Sequence, residues 1–336
     1  MTDVVVIGAG LAGSLLTLRL HERGLHPRWI DAGTAERASS CPCALVHPFA
    51  GRSFQPRPEV FDAWSHARRL FDTLGPGAQV HAATLVRHVA DDDAGRRLWS
   101  SWTRHAAQLR TAWDGTFEVD TARDGTRAIA YGPVYALSLA GAVDDVHARL
   151  HAVGLVARSM TVGRVVRGGE GWVLDDGAGG PSLSARHVVV AAGSGTRALL
   201  AGCDGAPAIE HVEGTLRYGP GGPLERFVVD GGHVASTART MAWGASYRAL
   251  DRSDDRAHAP QLDAIEARLR PRTAAWPQQV DVWRGIRVVD PHRRHPWVGP
   301  IAPGLWAMTA FGSQGGLWIP RAASDLARTL ANLSSD

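Results

Sequence analysis

The apolar run "DVVVI" (3–7) reads as a strand, and a glycine turn breaks it. A helix is predicted over about 11–23, stopped by Gly24, and "RWID" (28–31) forms a second strand. From 32 to 58 the periodicity dissolves into a long loop, a length that in compact domains usually carries function. In "EVFDAWSHARRLFDTL" (59–74), Phe61, Trp64, Ala67, Arg68 and Phe71 recur at three-to-four spacing, the mark of an amphipathic helix.

"VHAATLVRHVA" (80–90) then reads as a strand and "DDAGRRLWSSWTRHAAQL" (92–109) as a helix. The short "YGPVYALS" leads into a helix over 139–154. Residues 158–193 are a meander of short strands with Gly/Asp turns, ending in the fully apolar "HVVVAAG". Strands with one helix near 260–270 fill 207–284, and 304–333 reads strand, glycine turn, helix. Pro320 is placed in the first turn of that helix, where its missing N–H has no partner to lose.

At 336 residues the chain can hold one large core or two ordinary domains. It is 45% hydrophobic and 21% charged, and no stretch is long and apolar enough to span a bilayer. No basic leader precedes the first strand, so a cytoplasmic protein without membrane partners is expected. The net charge is +3, and every basic residue counted there is arginine. With no lysine, a Walker A loop, a Schiff-base lysine and a lysine general base are excluded. The 33 acids are interspersed with the arginines, so a nucleic-acid surface is not expected. Cys41, Cys43 and Cys203 make neither a disulfide framework nor a zinc knuckle, and no metal site is assigned.

Gly8, Gly10 and Gly13 stand at G-x-G-x-x-G spacing between strand and helix, with Asp31 at the end of the second strand. Gly8 permits the tight turn, Gly10 lets the backbone approach a pyrophosphate, and Gly13 lets the helix pack on the strand. The helix N-terminus, with Leu11 and Ala12, offers amides to the anion, while Asp31 and Ala32 mark the adenosine ribose end. This is a dinucleotide cradle, and NAD and FAD are held by the same device.

The layout beyond it resembles the D-amino-acid oxidase and glycine oxidase family of FAD enzymes, over most of the chain. That family also includes the flavin half of the enzyme that trims carboxymethylaminomethyl-uridine in tRNA. Ser39 and "ALVHP" (44–48), with Ala44 where the family usually has glycine and Leu45 beside it, match the loop against the flavin ring. "TVGRVV" matches the strand contacting adenine near Val162, and "VVVAAGSGT" the turn with Ala192 and Gly193 near the diphosphate. "FGSQGG" supplies Gly312, Ser313, Gln314, Gly315 and Gly316, whose amides would face the flavin where negative charge develops on reduction. "WRGIR" matches the signature ending in Arg287, the expected ligand of a substrate carboxylate. A salt bridge from Arg287 to Asp281 or Asp290 is the alternative. His47 lies where the loop meets the flavin, as a packing or hydrogen-bonding residue or a weaker candidate for chemistry.

The resemblance implies an α/β protein: a Rossmann-like, glutathione-reductase-like FAD domain from 1–80, 136–206 and 285–336. An antiparallel-sheet substrate domain would be inserted from 81–135 and 207–284. The implied reaction oxidises the C–N bond of a small amine or amino acid, moving hydride to N5 of non-covalently bound FAD, with the imine then hydrolysed. Oxygen or another acceptor takes the electrons. A tRNA wobble-uridine oxidase and a flavin-binding subunit without turnover are the other readings. Trp243, Trp283 and Trp297 could line an apolar pocket.

Overall fold

Val4 and Val6 bury into one hydrophobic cluster and Val5 and Ile7 into another, so their strand is covered on both faces. This computed structural model describes residues 2–34, 37–51, 53–121, 126–169, 171–178, 180, 182–251, 257–273, 276–293 and 295–334. Strand Thr2–Ile7 pairs in parallel with Arg28–Asp31 on one side and Leu183–Val190 on the other. Leu305–Thr309 continues the sheet in parallel beyond Leu183–Val190, and Trp297–Ala302 closes that edge antiparallel. Arg158–Ser159 adds to the opposite edge, and the hairpin Arg164–Arg167/Trp172–Asp175 pairs with Leu183–Val190. Helix Leu11–His21 packs between helices Leu139–Ala152 and Gly315–Leu333 on the Val4/Val6 face, and Pro58–Phe71 packs on the last of these.

The second sheet runs Asp281–Val289, Glu210–Pro220, Thr240–Ala249, His233–Ser236, Arg226–Val229, His81–His88, Arg127–Leu137, Ala44–Val46. It is antiparallel except where Arg226–Val229 meets His81–His88, and Thr116–Thr121 pairs with Arg127–Leu137. Bridges Arg37↔Ile286 and Val289↔Phe311 tie it to segments at the carboxyl end of the first sheet. Behind it Phe49, Phe54, Trp102, Trp113, Phe117 and Tyr131 pack edge-to-face, with centroids such as Phe49–Tyr131 at 5.3 Å.

Three local readings change. The loop after Asp31, of which 35, 36 and 52 lie outside the described residues, contains a strand, Ala44–Val46, that joins the second sheet. Three residues are too few to show alternation. "YGPVYALS" is the latter part of an eleven-residue strand, Arg127–Leu137, buried at most positions and so lacking a polar face. Pro320 sits inside helix Gly315–Leu333, beyond its first turn, because the helix begins at Gly315 rather than nearer the proline. Among the described residues no helix is long and apolar enough to cross a membrane.

Candidate functional site

The turn after the first strand is built for close approach. Gly8 has φ +112°, and a Cβ there would lie 2.4 Å from the Ala191 carbonyl oxygen. A Cβ on Gly13 would lie 1.9 Å from the Gly8 carbonyl oxygen, so the helix can touch the turn only through a glycine. Gly10 caps the helix, and a Cβ on it would meet the Ser39 hydroxyl at 2.9 Å. Trp29 Nε1 donates to the Gly8 carbonyl at 3.0 Å, and His147 Nε2 lies 2.9 Å from Ser14 Oγ and 3.2 Å from the Ala9 carbonyl. Burial lowers the His147 pKa, so this support is a neutral imidazole at physiological pH.

Asp31 is more committed than its motif suggests. Its carboxylate accepts from the Ala9 amide at 2.6 Å and the Gly33 amide at 2.7 Å, and pairs with Arg37 at 2.5 Å. It therefore fixes the glycine turn. Arg37, six residues on in "ERASS", lies outside the glycine motif; its one signal in the sequence is an arginine closely following the motif acid.

One cavity of 1180 Å³ joins the two sheets' edges, and every predicted cofactor or substrate position except Gly13 lines it, the tryptophans apart. Gly13 is turned into the helix–strand contact instead. From the turn come Gly8, Gly10, Leu11 and Ala12; from the second strand Asp31 and Ala32; from the loop Ser39, Ala44, Leu45 and His47. Val162, Ala192 and Gly193 line it as well, and Gly312–Gly316 line it at the start of the last helix. A Cβ on Gly316 would press on Val46 Cγ2 at 2.7 Å, which is how that helix start reaches the loop strand. Thr309 Oγ1 and Arg287 Nε, on residues of this wall, are buried without a hydrogen-bond partner among the described residues.

At the other end Arg287 stacks on Tyr247, with Cζ 3.7 Å from the ring centroid. No carboxylate pairs with it among the described residues, and Asp290 is engaged by the amides of His292 and Arg293 at 2.8 and 3.1 Å. His47 Nδ1 lies 3.1 Å from the Tyr131 hydroxyl. Burial, with the Arg87 and His233 charges, pulls the His47 pKa down to about 3, and burial pulls His233 down to about 4. Both imidazoles are neutral at physiological pH. Cys41 and Cys43 are buried free thiols on the cavity wall; burial pushes Cys41 up to about 12 and raises Cys43 as well. Trp283 also lines the cavity and donates to Ser40 Oγ at 3.0 Å, whereas Trp243 is fully buried against Glu266 and Trp297 borders a separate groove.

A sequence model of the family described as FAD dependent oxidoreductase (DAO) matches residues 3–329. The chain belongs to the DAO family. Among its relatives is the tRNA 5-methylaminomethyl-2-thiouridine biosynthesis bifunctional protein MnmC of Caulobacter vibrioides, 31% identical over 350 residues, covering 99% of this chain and 55% of that protein. The protein of the same name from Maricaulis maris is 29% identical over 337 residues, covering 97% and 52%. The chain thus spans about half the length of these curated relatives. Glycine oxidase from Geobacillus kaustophilus shares the fold with a TM-score of 0.80 at 18% identity, over 98% of this chain and 94% of that one. Iminodiacetate oxidase from Chelativorans sp. does so with a TM-score of 0.79 at 17% identity, over 97% and 94%.

The DAO-family cofactor is FAD, and the cavity fits it. The volume suits a ligand far larger than an amino acid, Gly8 and Gly10 leave the wall at the first helix start without side chains, and two helix N-termini supply amides. When bound, FAD supplies the two-electron acceptor. The residues missed in the sequence (Arg37, Arg87, Tyr131, His147, His233, Tyr247) act through tertiary neighbours, and apart from Arg37 none had a local signal.

Proposed function

We propose that the protein oxidises the C–N bond of a small amine or amino acid bearing a carboxylate, in the cytoplasm, with oxygen or another acceptor taking the electrons. The observation that carries this reading is Arg287. A guanidinium held flat by Tyr247, on the cavity wall and without an acid partner among the described residues, presents donors suited to a carboxylate. The protein's own work is then to orient the substrate, exclude bulk water and direct amides of the Gly312–Gly316 turn at developing charge. In this reading the first sheet with its helices forms the FAD domain and the second sheet the substrate domain. An anaerobic screen of the yellow protein against amines and amino acids tests it. Bleaching by carboxylate-bearing amines is the expected result; bleaching only by amines without a carboxylate would remove Arg287 from substrate binding.

A second reading, oxidation of a wobble-uridine substituent in tRNA, is supported by the identity to the two MnmC proteins. Several arginines are engaged by acids rather than offered to phosphates, as in Arg217 with Asp263 and Glu266 and Arg328 with Asp325. Nucleoside analysis of tRNA incubated with the protein separates the two.

A further inference from the structure

The cavity has a second polar end that the carboxylate site at Arg287 does not use. Arg87, His47, His233 and the turn Gly231–Gly232 line it together. Arg87 Nη1 donates to the Phe49 carbonyl at 3.1 Å and Nη2 to the Gly51 carbonyl. All these partners are neutral, and no carboxylate pairs with Arg87 among the described residues. A partly buried cation without a counter-ion is costly in a low-dielectric site, and an anion entering the cavity relieves that cost.

His47 Nδ1 shares a hydrogen bond with the Tyr131 hydroxyl at 3.1 Å, and its Nε2 makes none among the described residues. A ring nitrogen open to the cavity thus lies on the same wall as an uncompensated guanidinium. Sheet register sets the span: His233 pairs with Gly244, and across the bulge at Ala245 the residues Gly244 and Tyr247 face Leu216 and Gly214, two residues apart on the neighbouring strand, about 7 Å at strand rise.

The geometry points to a substrate with two anionic groups, a carboxylate on Arg287 and a second, distal anion on Arg87 with His47 and His233 beside it. This rests on the carboxylate role of Arg287 and narrows the substrate class to amines carrying two acidic ends. The FAD-loaded protein is titrated with dicarboxylates from succinate to pimelate and with the matched monocarboxylates, reading the shift of the flavin absorbance band. These probes contain no amine, so binding is read apart from oxidation, and the anaerobic amine screen tests the parent reading by itself. At least one diacid is expected to bind roughly tenfold tighter than its monoacid, with the gap closing below about threefold in Arg87→Gln and narrowing in His233→Leu. Equal binding of diacids and monoacids by the wild type overturns the proposal, as does a gap that survives Arg87→Gln. If Arg87→Gln loses flavin because the Phe49–Gly51 loop is released, the wild-type series and His233→Leu decide.

Discussion

Gly13 lies against Gly8 so closely that a Cβ on it would stand 1.9 Å from the Gly8 carbonyl oxygen, whereas a Cβ on Gly10 would meet only the Ser39 hydroxyl, at 2.9 Å. One neighbour is the backbone of the turn leaving the first strand; the other is the end of a small side chain. The two glycines should therefore fail differently. Gly13→Ala must push helix and strand apart, at about 1–3 kcal/mol for overpacking, and is expected to lower Tm by several degrees. Gly10→Val should keep the circular dichroism of the wild type yet purify without yellow colour, because its bulk enters the space a diphosphate needs. Full flavin occupancy in Gly10→Val would move the cradle elsewhere.

The bond between protein and flavin is expected to be non-covalent. His47 is the histidine of the matching loop, and its Nδ1 is already engaged by Tyr131 at 3.1 Å. Heat or acid should release all the yellow colour into the supernatant. Flavin that stays with the precipitate, and is lost in His47→Asn, would show an attachment at that ring.

Stability should fall as the medium is acidified below about pH 6.5. His47 and His233 titrate near 3 and 4 in the folded protein against 6.5 when unfolded, so between those values the unfolded chain binds more protons. Their contribution is complete above 6.5 and is lost going down, by at most about 1.4 kcal/mol per pH unit for each histidine. Tm measured from pH 7 to pH 5 should drop, and His233→Asn should flatten the slope. A Tm that rises on acidification, or a slope unchanged in the variant, would mean that these rings are charged or solvated.

What could be read from the chain and what could not divide along a physical line. Gly8, Gly10 and Gly13 are legible because a close backbone approach admits one residue type, and the spacing is set within one turn. Arg287 is legible through the short "WRGIR" signature. Arg87 and Tyr131 are not, since they sit on neighbouring strands whose register, Arg87↔Ile129 and Leu85↔Tyr131, no local pattern specifies. Strand Ala44–Val46 escaped for the same reason: its identity as a strand comes from the partner Tyr135–Leu137. The segment readings failed where tertiary pairing, not propensity, decided.

The thiols give a chemical test of burial. Cys41 and Cys43 stand on the cavity wall but are at most 7% exposed, and a thiol at about 12 or above holds almost no thiolate at pH 8. Cys203 is only partly buried. A disulfide reagent at pH 8 should titrate Cys203 first, with Cys41 and Cys43 reacting only after denaturation. Rapid modification of three thiols in the native protein would show that the loop around residues 41–43 opens.

The Arg287 prediction bears most on function. A carboxylate entering the cavity loses water, and the guanidinium can replace that hydration with two parallel charge-assisted bonds, each contributing about 1.5–3 kcal/mol. Tyr247 holds the plane at 3.7 Å, so the fork does not have to be ordered on binding. Arg287→Ala is therefore expected to lower kcat/KM for a carboxylate-bearing amine by roughly a hundred- to a thousandfold, with flavin content unchanged. Arg287→Lys keeps the charge but not the fork, and should recover only part of that loss. Tyr247→Leu removes the stack while leaving the guanidinium, and should raise KM more than it lowers kcat. Stopped-flow reduction of the flavin measures all three variants. If Arg287→Ala is reduced at the wild-type rate and affinity, the arginine is a wall of the cavity and the carboxylate is bound elsewhere.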